Sequence, residues 1–426
     1  MAKYVIVGAS AAGIGAVEAI CEDDPIGTLV VISDEPCPQY SRPMISDYVS
    51  GKADFPKMKC REDSFWKRSN VQTIFSQKAT AIDTSAKTVT LESGEKIPYE
   101  KLLLATGGKP FVPKMEGQEK DGVFTFTTIK DAEQLSAKID AIKAKSAVVI
   151  GAGLIGVSVT DALTKCGLKV TMVELQEKIL SLLLDPKASD IVESVVRAAG
   201  VNIVTGQSVQ KIIGKEGNEG LVGGVVLTKG DTVPTDLVIV AIGVIPRTDL
   251  AVGTPLKVNR GIVVDNTMQT NVPDVYASGD VAEALDFILG QNRQLPLWPL
   301  AVEEGRVAGH NMAGQKATYN GGTNMSSLKY FNIPIVSIGL ANPKEDPALE
   351  ILVKMDAAAK VYKKLVLRND VIVGMTLVNC IEGAGVRFYL MKNAVNVKKF
   401  KAKLLDDDFG LATLPSSLQK KMKVVQ

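Results

Sequence analysis

The sequence predicts an α/β fold in which two similar parallel-sheet domains precede a smaller α+β domain. A short apolar strand, a glycine-rich turn and a helical stretch follow one another at residues 4–20, and the same order recurs at residues 147–166. A second pattern, in which glycine, proline, an acid, alanine and glycine fall in register, occurs at residues 94–107 and 230–243. Strand, glycine turn and helix form a βαβ unit, so the repeats predict two tandem Rossmann-like dinucleotide-binding domains.

The domain organisation follows from the length and from a change of pattern towards the C-terminal end. A chain of 426 residues is too long for one compact core. A strand ending in Gly279 and Asp280, followed by a helix at residues 300–313, is expected to return to the first domain. Short strands take over from about Tyr319. We therefore expect the first domain at residues 1–115 and 246–318, the second at 116–245, and the α+β domain at 319–426.

The composition excludes several classes of function. Lysine and arginine (49) nearly balance aspartate and glutamate (47), so the net charge of +2 provides no general attraction for nucleic acid or an anionic membrane. No run of about 18 apolar residues is present, and we expect a cytoplasmic protein. The cysteines contain no CxxC pair, so we expect no disulfide framework, no metal site and no internal iron–sulfur cluster. They are Cys21, Cys37, Cys60, Cys166 and Cys380.

The two glycine turns are the candidate pyrophosphate sites. A pyrophosphate needs close approach to the backbone and the free N–H groups of a helix N-terminus, and glycines between a strand and a helix provide both. In the first turn the middle position is Ser10, which is small enough to obstruct this approach only slightly. The predicted contacts are Gly8, Ser10, Ala11 and Gly13 in the first turn, and Gly151, Gly153, Leu154, Ile155 and Gly156 in the second.

An acid follows each glycine turn at the end of the next strand. Glu35 and Glu174 lie near the spacing of about 20 residues at which such an acid accepts hydrogen bonds from ribose hydroxyls. Leu175 and Gln176 follow Glu174, and no arginine is present there to meet a 2′-phosphate. We therefore expect the second domain to prefer NADH to NADPH.

The order of these motifs resembles the FAD-dependent pyridine nucleotide-disulfide oxidoreductase family over essentially the whole chain. The resemblance implies that the first domain binds FAD, that the second binds NADH, and that the α+β domain is an interface domain through which the protein oligomerises. It also implies further cofactor contacts. These are Arg42 and Pro43 beside the FAD phosphates, Ala79 at adenine, Ala105, Thr106, Gly107 and Gly243 after the closing strands, Gly279 and Asp280 at the ribityl chain, and Trp298 and Glu304 in the segment that passes the flavin pyrimidine ring.

Within this family, two segments resemble one group of members. The segment Tyr40–Ser46 is similar to that of NADH-dependent ferredoxin or rubredoxin reductases and of the flavin portion of nitrite reductases. Residues 406–411 are similar to those of the same reductases and of FAD subunits of 2-oxoacid oxidoreductase complexes such as phenylglyoxylate dehydrogenase. The resemblance implies electron transfer between NAD(H) and an iron–sulfur carrier or iron–sulfur subunits. An NADH oxidase or peroxidase, and a non-catalytic FAD- and NADH-binding sensor or scaffold, remain as alternatives.

Departures from the family pattern bear on the mechanism. The chain has no CxxxxC pair and no C-terminal His-Glu couple, and its only histidine, His310, is expected on a helix face. Met44 stands about where oxygen- and peroxide-reducing members carry a cysteine, and a thioether cannot form a thiolate. We expect Cys37 to be a packed or loop thiol. No catalytic protein residue is predicted, because the two cofactors supply the redox chemistry.

Two more positions differ from the ferredoxin reductases of this family. Asp47 stands where these reductases commonly carry a lysine, and Ser158 stands where a glutamate follows the second glycine motif. Hydride transfer between two bound cofactors requires neither residue, because it depends on how the protein positions the reacting rings.

Overall fold

The computed structural model describes residues 2–423 and separates into two compact units. Unit 1 contains residues 2–111, 127–129 and 244–323, and unit 2 contains residues 112–126, 130–243 and 324–423. Unit 1 is therefore built from two long stretches of chain that are far apart in the sequence.

The first half of the chain alternates strands and helices. Residues 2–111 form β1 (Ala2–Val7), α1 (Ala11–Asp23), β2 (Leu29–Ser33), α2 (Ile45–Val49), α3 (Phe55–Met58), β3 (Val71–Phe75), β4 (Ala79–Asp83), β5 (Thr88–Leu91), β6 (Lys96–Leu104) and β7 (Gly108–Pro110). Residues 112–243 form β8 (Val123–Thr125), α4 (Ile129–Ile142), β9 (Ser146–Ile150), α5 (Leu154–Lys165), β10 (Lys169–Val173), α6 (Pro186–Ala198), β11 (Asn202–Val204), β12 (Val209–Lys215), β13 (Asn218–Leu227), β14 (Thr232–Pro234) and β15 (Leu237–Val240).

The second half returns to unit 1 and then builds the C-terminal sheet. Residues 244–323 form β16 (Val244–Pro246), β17 (Ile262–Val263), β18 (Val275–Ala277), β19 (Ala282–Asp286), β20 (Gln291–Arg293) and α7 (Trp298–Met312). Residues 324–423 form β21 (Met325–Tyr330), β22 (Ile333–Gly339), β23 (Leu349–Asp356), β24 (Val361–Arg368), β25 (Val371–Val378), α8 (Ala384–Lys392) and α9 (Ser416–Lys423). Within residues 2–423, no helix is both long and apolar enough to cross a bilayer.

Unit 1 is organised around a parallel sheet in the order β3-β2-β1-β6, with β18 also parallel to β6. The antiparallel strands β5 and β4 continue from the N-terminal half of β6. The central strand β1 is fully buried at Tyr4, Val5 and Ile6, because both faces of a parallel sheet are covered. The sheet places the carboxyl ends of β1, β2 and β6 at one edge.

Helices α1 and α7 pack against each other in unit 1 through glycines. A Cβ atom on Gly15 would lie 2.4 Å from the carbonyl oxygen of Val302, and one on Gly305 would lie 2.0 Å from that of Ala12. These distances leave no room for a side chain at either contact. The helix that follows the first glycine turn is thereby held directly against the returning segment.

Unit 2 contains a five-stranded parallel sheet in the order β11-β10-β9-β15-β8 and an antiparallel sheet of β12, β13 and β14. The repeat seen in the sequence is built differently in the two units. In unit 1 its second pattern is the single long strand β6, whereas in unit 2 the corresponding residues divide between β14 and β15, which belong to different sheets. Both copies nevertheless deliver a buried parallel strand beside the strand that precedes the glycine turn.

The C-terminal part of unit 2 is an antiparallel sheet in the order β21-β22-β25-β24-β23. A buried polar cluster connects it to α6 in the same unit. Asp185, the N-cap residue of α6, accepts hydrogen bonds from the Tyr362 hydroxyl at 2.6 Å and from Lys364 Nζ at 2.8 Å. These contacts keep the pKa of Asp185 below its usual range although burial opposes this effect.

Candidate nucleotide-binding sites

The first glycine turn connects β1 to α1 in unit 1. The Gly8 N–H donates to the Ile32 carbonyl at 2.8 Å, and Gly8 has a φ of +113°, which L-residues with side chains rarely adopt. A Cβ atom on Gly8 would lie 2.0 Å from the Ala105 oxygen, and one on Gly13 would lie 2.0 Å from the Gly8 oxygen. Ser10 is the N-cap residue of α1, but its side chain makes no capping hydrogen bond. The first amides of α1, which begins at Ala11, can therefore bind an anion.

The second glycine turn repeats this geometry between β9 and α5 in unit 2. The Gly151 N–H donates to the Val173 carbonyl at 2.8 Å, and Gly151 has a φ of +101°. A Cβ atom on Gly156 would lie 1.9 Å from the Gly151 oxygen. A Cβ atom on Gly153, by contrast, would have no neighbour within 4 Å. The space beside Gly153 and the uncapped helix start, formed by Leu154 and Ile155, suit the phosphates of a dinucleotide.

The strands that close the two sheets end at the glycine turns in the same way. The Ala105 N–H donates to the Val7 carbonyl at 2.8 Å, and the Ala241 N–H donates to the Ile150 carbonyl at 2.8 Å. Gly107 and Gly243 follow these strands with φ values of +70° and +108°. The agreement of both copies explains why alanine and glycine recur in register in the sequence.

Glu35 lies after β2 and is enclosed by side chains of its own unit. Its Oε2 atom accepts a hydrogen bond from the Tyr40 hydroxyl at 2.7 Å, and its Oε1 atom forms an ion pair with Arg42. Tyr40 is completely buried, and its hydroxyl also accepts the Ile129 N–H at 3.0 Å. Glu35 is therefore held in a fixed position beside the first glycine turn.

Glu174 follows β10 at the corresponding position of unit 2. Its Oε2 atom accepts the Ala152 N–H at 2.7 Å, and its Oε1 atom accepts the Gln176 N–H at 2.9 Å. Leu175, which follows it, is 65% exposed. The backbone of the glycine turn and of Gln176 thus fixes the position of the Glu174 carboxylate beside the second turn.

Arg42 joins the first turn to two other segments of unit 1. Its Nε atom donates to Ser10 Oγ at 3.3 Å, and one terminal nitrogen donates to the Thr127 carbonyl at 3.2 Å. Together with the ion pair to Glu35, these contacts place a guanidinium directly beside the turn. The neighbouring Pro43 is exposed and belongs to a short 3₁₀ turn, Arg42–Met44.

Gly279 and Asp280 begin a 3₁₀ turn that follows β18 in unit 1. Gly279 has a φ of +74°, and its ideal Cβ position lies 3.1 Å from the Ala12 Cβ atom, so the turn packs onto the first residues of α1. Its N–H donates to Oε2 of Glu304 at 2.8 Å. Burial raises the pKa of Asp280, whereas the Arg42 charge lowers it. The structure therefore brings Asp280 into the surroundings of the first glycine turn.

The remaining predicted contacts occupy several places in unit 1. Ala79 is a nearly buried residue of β4 paired with Leu91, and Thr106 donates through its hydroxyl to the Arg247 carbonyl at 2.9 Å. Trp298 begins α7 and packs against the hydrophobic core. Glu304 is a buried residue of α7, with only 3% of its surface exposed. Its carboxyl group contacts the Gly279 turn and does not face an open cleft.

The candidate redox positions contain no activated thiol. Met44 is half-buried in the 3₁₀ turn, and Cys37 is a half-buried thiol whose pKa is raised by burial. A raised pKa disfavours the thiolate, which is the reactive form of cysteine. Asp47 forms an ion pair with Lys52 at 3.0 Å in unit 1, whereas Ser158 is buried in α5 of unit 2.

His310 and Tyr40 show what the sequence did and did not reveal. His310 lies on α7 with its Nδ1 atom 2.6 Å from Asp23 on α1, as expected for a residue of a helix face. The role of Tyr40 as the buried partner of Glu35 was not predicted, although Tyr40 belongs to the segment that carries the family resemblance. No local pattern signals a contact that depends on how residues 40–42 pass over the end of β2.

Comparisons with known proteins cover nearly the entire chain. A family model described as pyridine nucleotide-disulphide oxidoreductase matches residues 2–305, and one described as rubredoxin NAD⁺ reductase C-terminal domain matches residues 325–382. The chain is 33% identical over 372 residues to the epsilon subunit of NADH-dependent phenylglyoxylate dehydrogenase from Aromatoleum evansii, covering 86% of each chain. It is 30% identical over 380 residues to nitrite reductase (NAD(P)H) from Bacillus subtilis, covering 88% of this chain but only 45% of that protein.

Solved structures give the same result. The fold matches the covalent putidaredoxin reductase–putidaredoxin complex with a TM-score of 0.84 and 25% identity, covering 92% of this chain and 94% of the other. It matches the water-forming NADH oxidase from Lactobacillus brevis bound to NADH with a TM-score of 0.86 and 25% identity, covering 100% and 98%. Both likenesses extend over the two glycine turns and the C-terminal sheet.

Proposed function

Because the chain belongs to the pyridine nucleotide-disulphide oxidoreductase family, we propose that it passes electrons between NAD(H) and an iron–sulfur protein or the iron–sulfur subunits of a larger complex. It is an FAD-dependent NAD(H) oxidoreductase. One observation carries the proposal: two complete nucleotide-binding turns occur in a chain whose Tyr40–Ser46 segment offers Met44 rather than a cysteine. Such a flavoprotein has no cysteine at this position to accept electrons from the reduced flavin, so the electrons must pass to an external partner.

The relatives support this partner class. The rubredoxin reductase C-terminal domain matches residues 325–382, and the putidaredoxin reductase complex shares the fold over most of the chain. Rubredoxin and putidaredoxin are iron–sulfur carriers of single electrons. The likeness to a phenylglyoxylate dehydrogenase subunit supports the second form of the proposal, in which electrons arrive from iron–sulfur subunits and leave as NADH.

We assign FAD to the first glycine turn and NAD(H) to the second. In this assignment residues 1–115 and 246–318 form the FAD-binding domain, 116–245 form the NAD-binding domain, and 319–426 form the interface domain. The amides at the start of α1, with the nearby guanidinium of Arg42, neutralise the pyrophosphate of FAD. Asp280 accepts a hydrogen bond from the ribityl chain, and the backbone at Ala79 contacts adenine.

When bound, the two cofactors would supply the redox chemistry, namely hydride exchange with the nicotinamide and transfer of electrons to or from the partner. The protein residues bind and orient them. Glu174 accepts hydrogen bonds from the hydroxyls of the NADH ribose, and its negative charge repels the 2′-phosphate of NADPH. The amide contacts of Glu174 fix its carboxylate before the nucleotide binds, which reduces the entropy lost on binding.

We further propose that the protein oligomerises through its C-terminal domain and resides in the cytoplasm. The edge strand β23 carries Ile351, Val353 and Met355 on one face, each with 45–50% of its surface exposed. Apolar residues that alternate on an edge strand form a surface that another chain can cover. The cytoplasmic assignment rests on the scattered cysteines, all of which are free thiols in the structure. Sedimentation velocity over a range of concentrations will test the oligomeric state.

NADH oxidation by oxygen is the second candidate, because the water-forming NADH oxidase shares the fold. Met44 and the raised pKa of Cys37 oppose it, since a thioether cannot form the sulfenic acid that peroxide-reducing members require and burial disfavours the Cys37 thiolate from which it forms. Without such a group, reduced FAD would have to react with oxygen directly. The two candidates therefore differ in how fast oxygen and an iron–sulfur protein reoxidise the flavin.

Anaerobic stopped-flow absorbance distinguishes them. The purified flavoprotein is reduced with NADH and then mixed with oxidised ferredoxin or rubredoxin, or separately with oxygen. We expect fast flavin reduction, fast reoxidation by the iron–sulfur protein and slow reoxidation by oxygen. Fast reoxidation by oxygen alone would establish the oxidase, and failure of every acceptor would favour a sensor or scaffold. A Met44→Cys variant provides a matched control, because it restores the thiol that oxygen- and peroxide-reducing members carry.

A further inference from the structure

Glu304 is a carboxylic acid enclosed within the core of unit 1. Only 3% of its surface is exposed, and no arginine, lysine or histidine forms an ion pair with it among residues 2–423. Its neighbour Glu303 on the same helix is exposed. Burying an ionised carboxylate without a cation is costly, so the hydrogen bonds of the Glu304 carboxyl group determine what it does in the structure.

The task that the structure shows is support of the Gly279 turn. Oε2 of Glu304 accepts the Gly279 N–H at 2.8 Å. Gly279 has a positive φ and packs between Ala12 and Ala301, with ideal Cβ distances of 3.1 Å and 3.4 Å to their Cβ atoms. The hydrogen bond to Glu304 and the packing between the two alanines together hold the turn in place. Asp280, the next residue, is carried by this turn.

The surroundings of Glu304, above all its burial, favour the protonated form of its carboxyl group. Burial raises the pKa of Glu304 to about 8, and the nearby Asp280 and Glu303 add to this effect. The Gly279 amide and the Tyr319 phenol oppose it, although the Tyr319 hydroxyl lies beside the carboxyl without meeting hydrogen-bond geometry.

The charged groups of the elements packed on α7 do not neutralise Glu304. On α1, Glu18 and Glu22 pair with Arg306, and Asp23 contacts His310. On the Gly279 turn, Asp280 faces the positive charge of Arg42. Asp286, near Tyr319, has Arg293 at 3.6 Å.

We propose that Glu304 positions the Gly279–Asp280 turn as a neutral acid, and that loss of its proton weakens the binding of FAD. The inference rests on the proposed placement of FAD at the first glycine turn. An ionised Glu304 would be a buried carboxylate beside the acidic Asp280, and only water entering the turn could relieve it. Binding of FAD dries this region further, so FAD and ionisation of Glu304 compete.

The direction of the pH effect follows from linkage. The stability contributed by the neutral acid is present in full below the ordinary pKa of glutamate and is lost as the pH rises through about 8. FAD affinity should therefore be constant at acidic pH and fall by up to about tenfold per pH unit above the pKa of Glu304, because one proton is bound with each FAD.

The test compares wild type, Glu304→Gln and Glu303→Gln. FAD dissociation constants are measured from flavin fluorescence on deflavinated protein between about pH 6 and about pH 9. Glutamine keeps an oxygen that accepts the Gly279 N–H but cannot ionise, so Glu304→Gln should bind FAD as tightly at high pH as at low pH. Glu303→Gln is the matched control because it removes an exposed acid one residue away, and it should retain the wild-type profile.

Thermal unfolding of the FAD-free proteins over the same pH range provides a readout that does not need the cofactor. The wild-type midpoint should fall with pH more steeply than that of Glu304→Gln. Wild-type affinity that does not change with pH, or an identical decline in wild type and Glu304→Gln, would overturn the inference. Because FAD would still bind at neutral pH in either case, the proposed function would survive. Absence of FAD binding at every pH would instead remove the FAD assignment itself.

Discussion

The two glycine turns have the same backbone geometry but differ in the side chains that lie around them. The first turn is enclosed, because Arg42 contacts both Ser10 and Glu35 while Tyr40 holds the same glutamate from the other side. At the second turn Gly153 is exposed, and the Glu174 carboxylate accepts hydrogen bonds from the backbone N–H groups of Ala152 and Gln176. The same loop geometry can therefore serve two kinds of nucleotide binding. An enclosed turn suits a cofactor that stays bound, and an open one suits a nucleotide that must leave after each turnover.

The largest effect on nucleotide binding is expected when the last glycine of each turn is replaced by alanine. Gly13→Ala and Gly156→Ala both place a Cβ atom about 2 Å from a carbonyl oxygen, at 2.0 Å and 1.9 Å respectively. Each substitution should weaken binding at its own turn by about a hundredfold or more, since overpacking against a backbone costs about 3 kcal/mol. FAD content and NADH titration will measure the two sites separately.

The crossed result decides the comparison. Gly156→Ala should remain yellow and lose NADH binding, whereas Gly13→Ala should lose FAD. Circular dichroism controls for misfolding in both variants. Loss of FAD from Gly156→Ala, in a protein that remains folded, would contradict the assignment of one nucleotide to each turn.

The next largest effect on binding is expected at Arg42, which lies over the first turn. Arg42→Ala removes hydrogen bonds to Ser10 and Thr127 and leaves Glu35 without its cation. Charge-assisted hydrogen bonds contribute about 1.5–2 kcal/mol, so FAD affinity should fall about ten- to thirtyfold while NADH affinity is unchanged. Arg247→Ala is the matched control, because the Arg247 side chain is as exposed as that of Arg42 but pairs with Asp34 and not with Glu35, so its loss should change FAD affinity little. Equal losses in the two variants would refute a specific role for Arg42.

A smaller effect is expected at the open turn. Glu174→Ala removes the acceptor for the ribose hydroxyls, so the NADH dissociation constant should rise about tenfold, since a hydrogen bond to a charged group contributes about 1.5 kcal/mol at the lower end of its range. Discrimination against NADPH should decrease because the repelling charge is gone. Titration with each nucleotide will measure both changes. FAD content should stay at the wild-type level, and an equal loss of FAD would contradict the two-site assignment.

The smallest effect is expected when the second turn is given the middle residue of the first. A Cβ atom on Gly153 meets no other atom within 4 Å, and its φ is negative, so Gly153→Ser introduces no clash. The NADH dissociation constant should change by less than about threefold, within the range of surface substitutions. A loss as large as that of Gly156→Ala would mean that the space beside Gly153 is needed by the nucleotide.

The sequence predicted the features whose physics is local. The glycines at positions 8 and 151, the buried strands before them and the acids after the following strands all depend on residues that are near one another in the chain. These features were enough to predict the α/β fold with two dinucleotide-binding domains, and the family resemblance implied FAD and NAD(H) as the cofactors; the family match confirms both. The cofactor roles of the individual site residues stay predictions.

Contacts between distant segments could not be predicted in the same way. Glu304 was expected along the flavin, but its hydrogen bond to Gly279 joins residues 25 positions apart. The contact of Tyr40 with Ile129 joins residues 89 positions apart. Such contacts depend on how helices and loops pack, and hydrophobic periodicity does not encode the partner of a polar side chain.

The return of the chain to unit 1 has a consequence for how the protein is made. Strand β6 pairs with β18, and helix α1 packs against α7, but both β18 and α7 lie beyond residue 274 in the sequence. The strands β1 and β2 of the same sheet, by contrast, end before residue 34. A ribosome that has produced the first hundred residues has therefore produced a sheet lacking one strand and a helix lacking its cover. Contacts of such long sequence separation slow folding, because a long loop must close before they form. The early segment must wait for about 200 further residues, and during this interval its uncovered apolar surface is prone to aggregate.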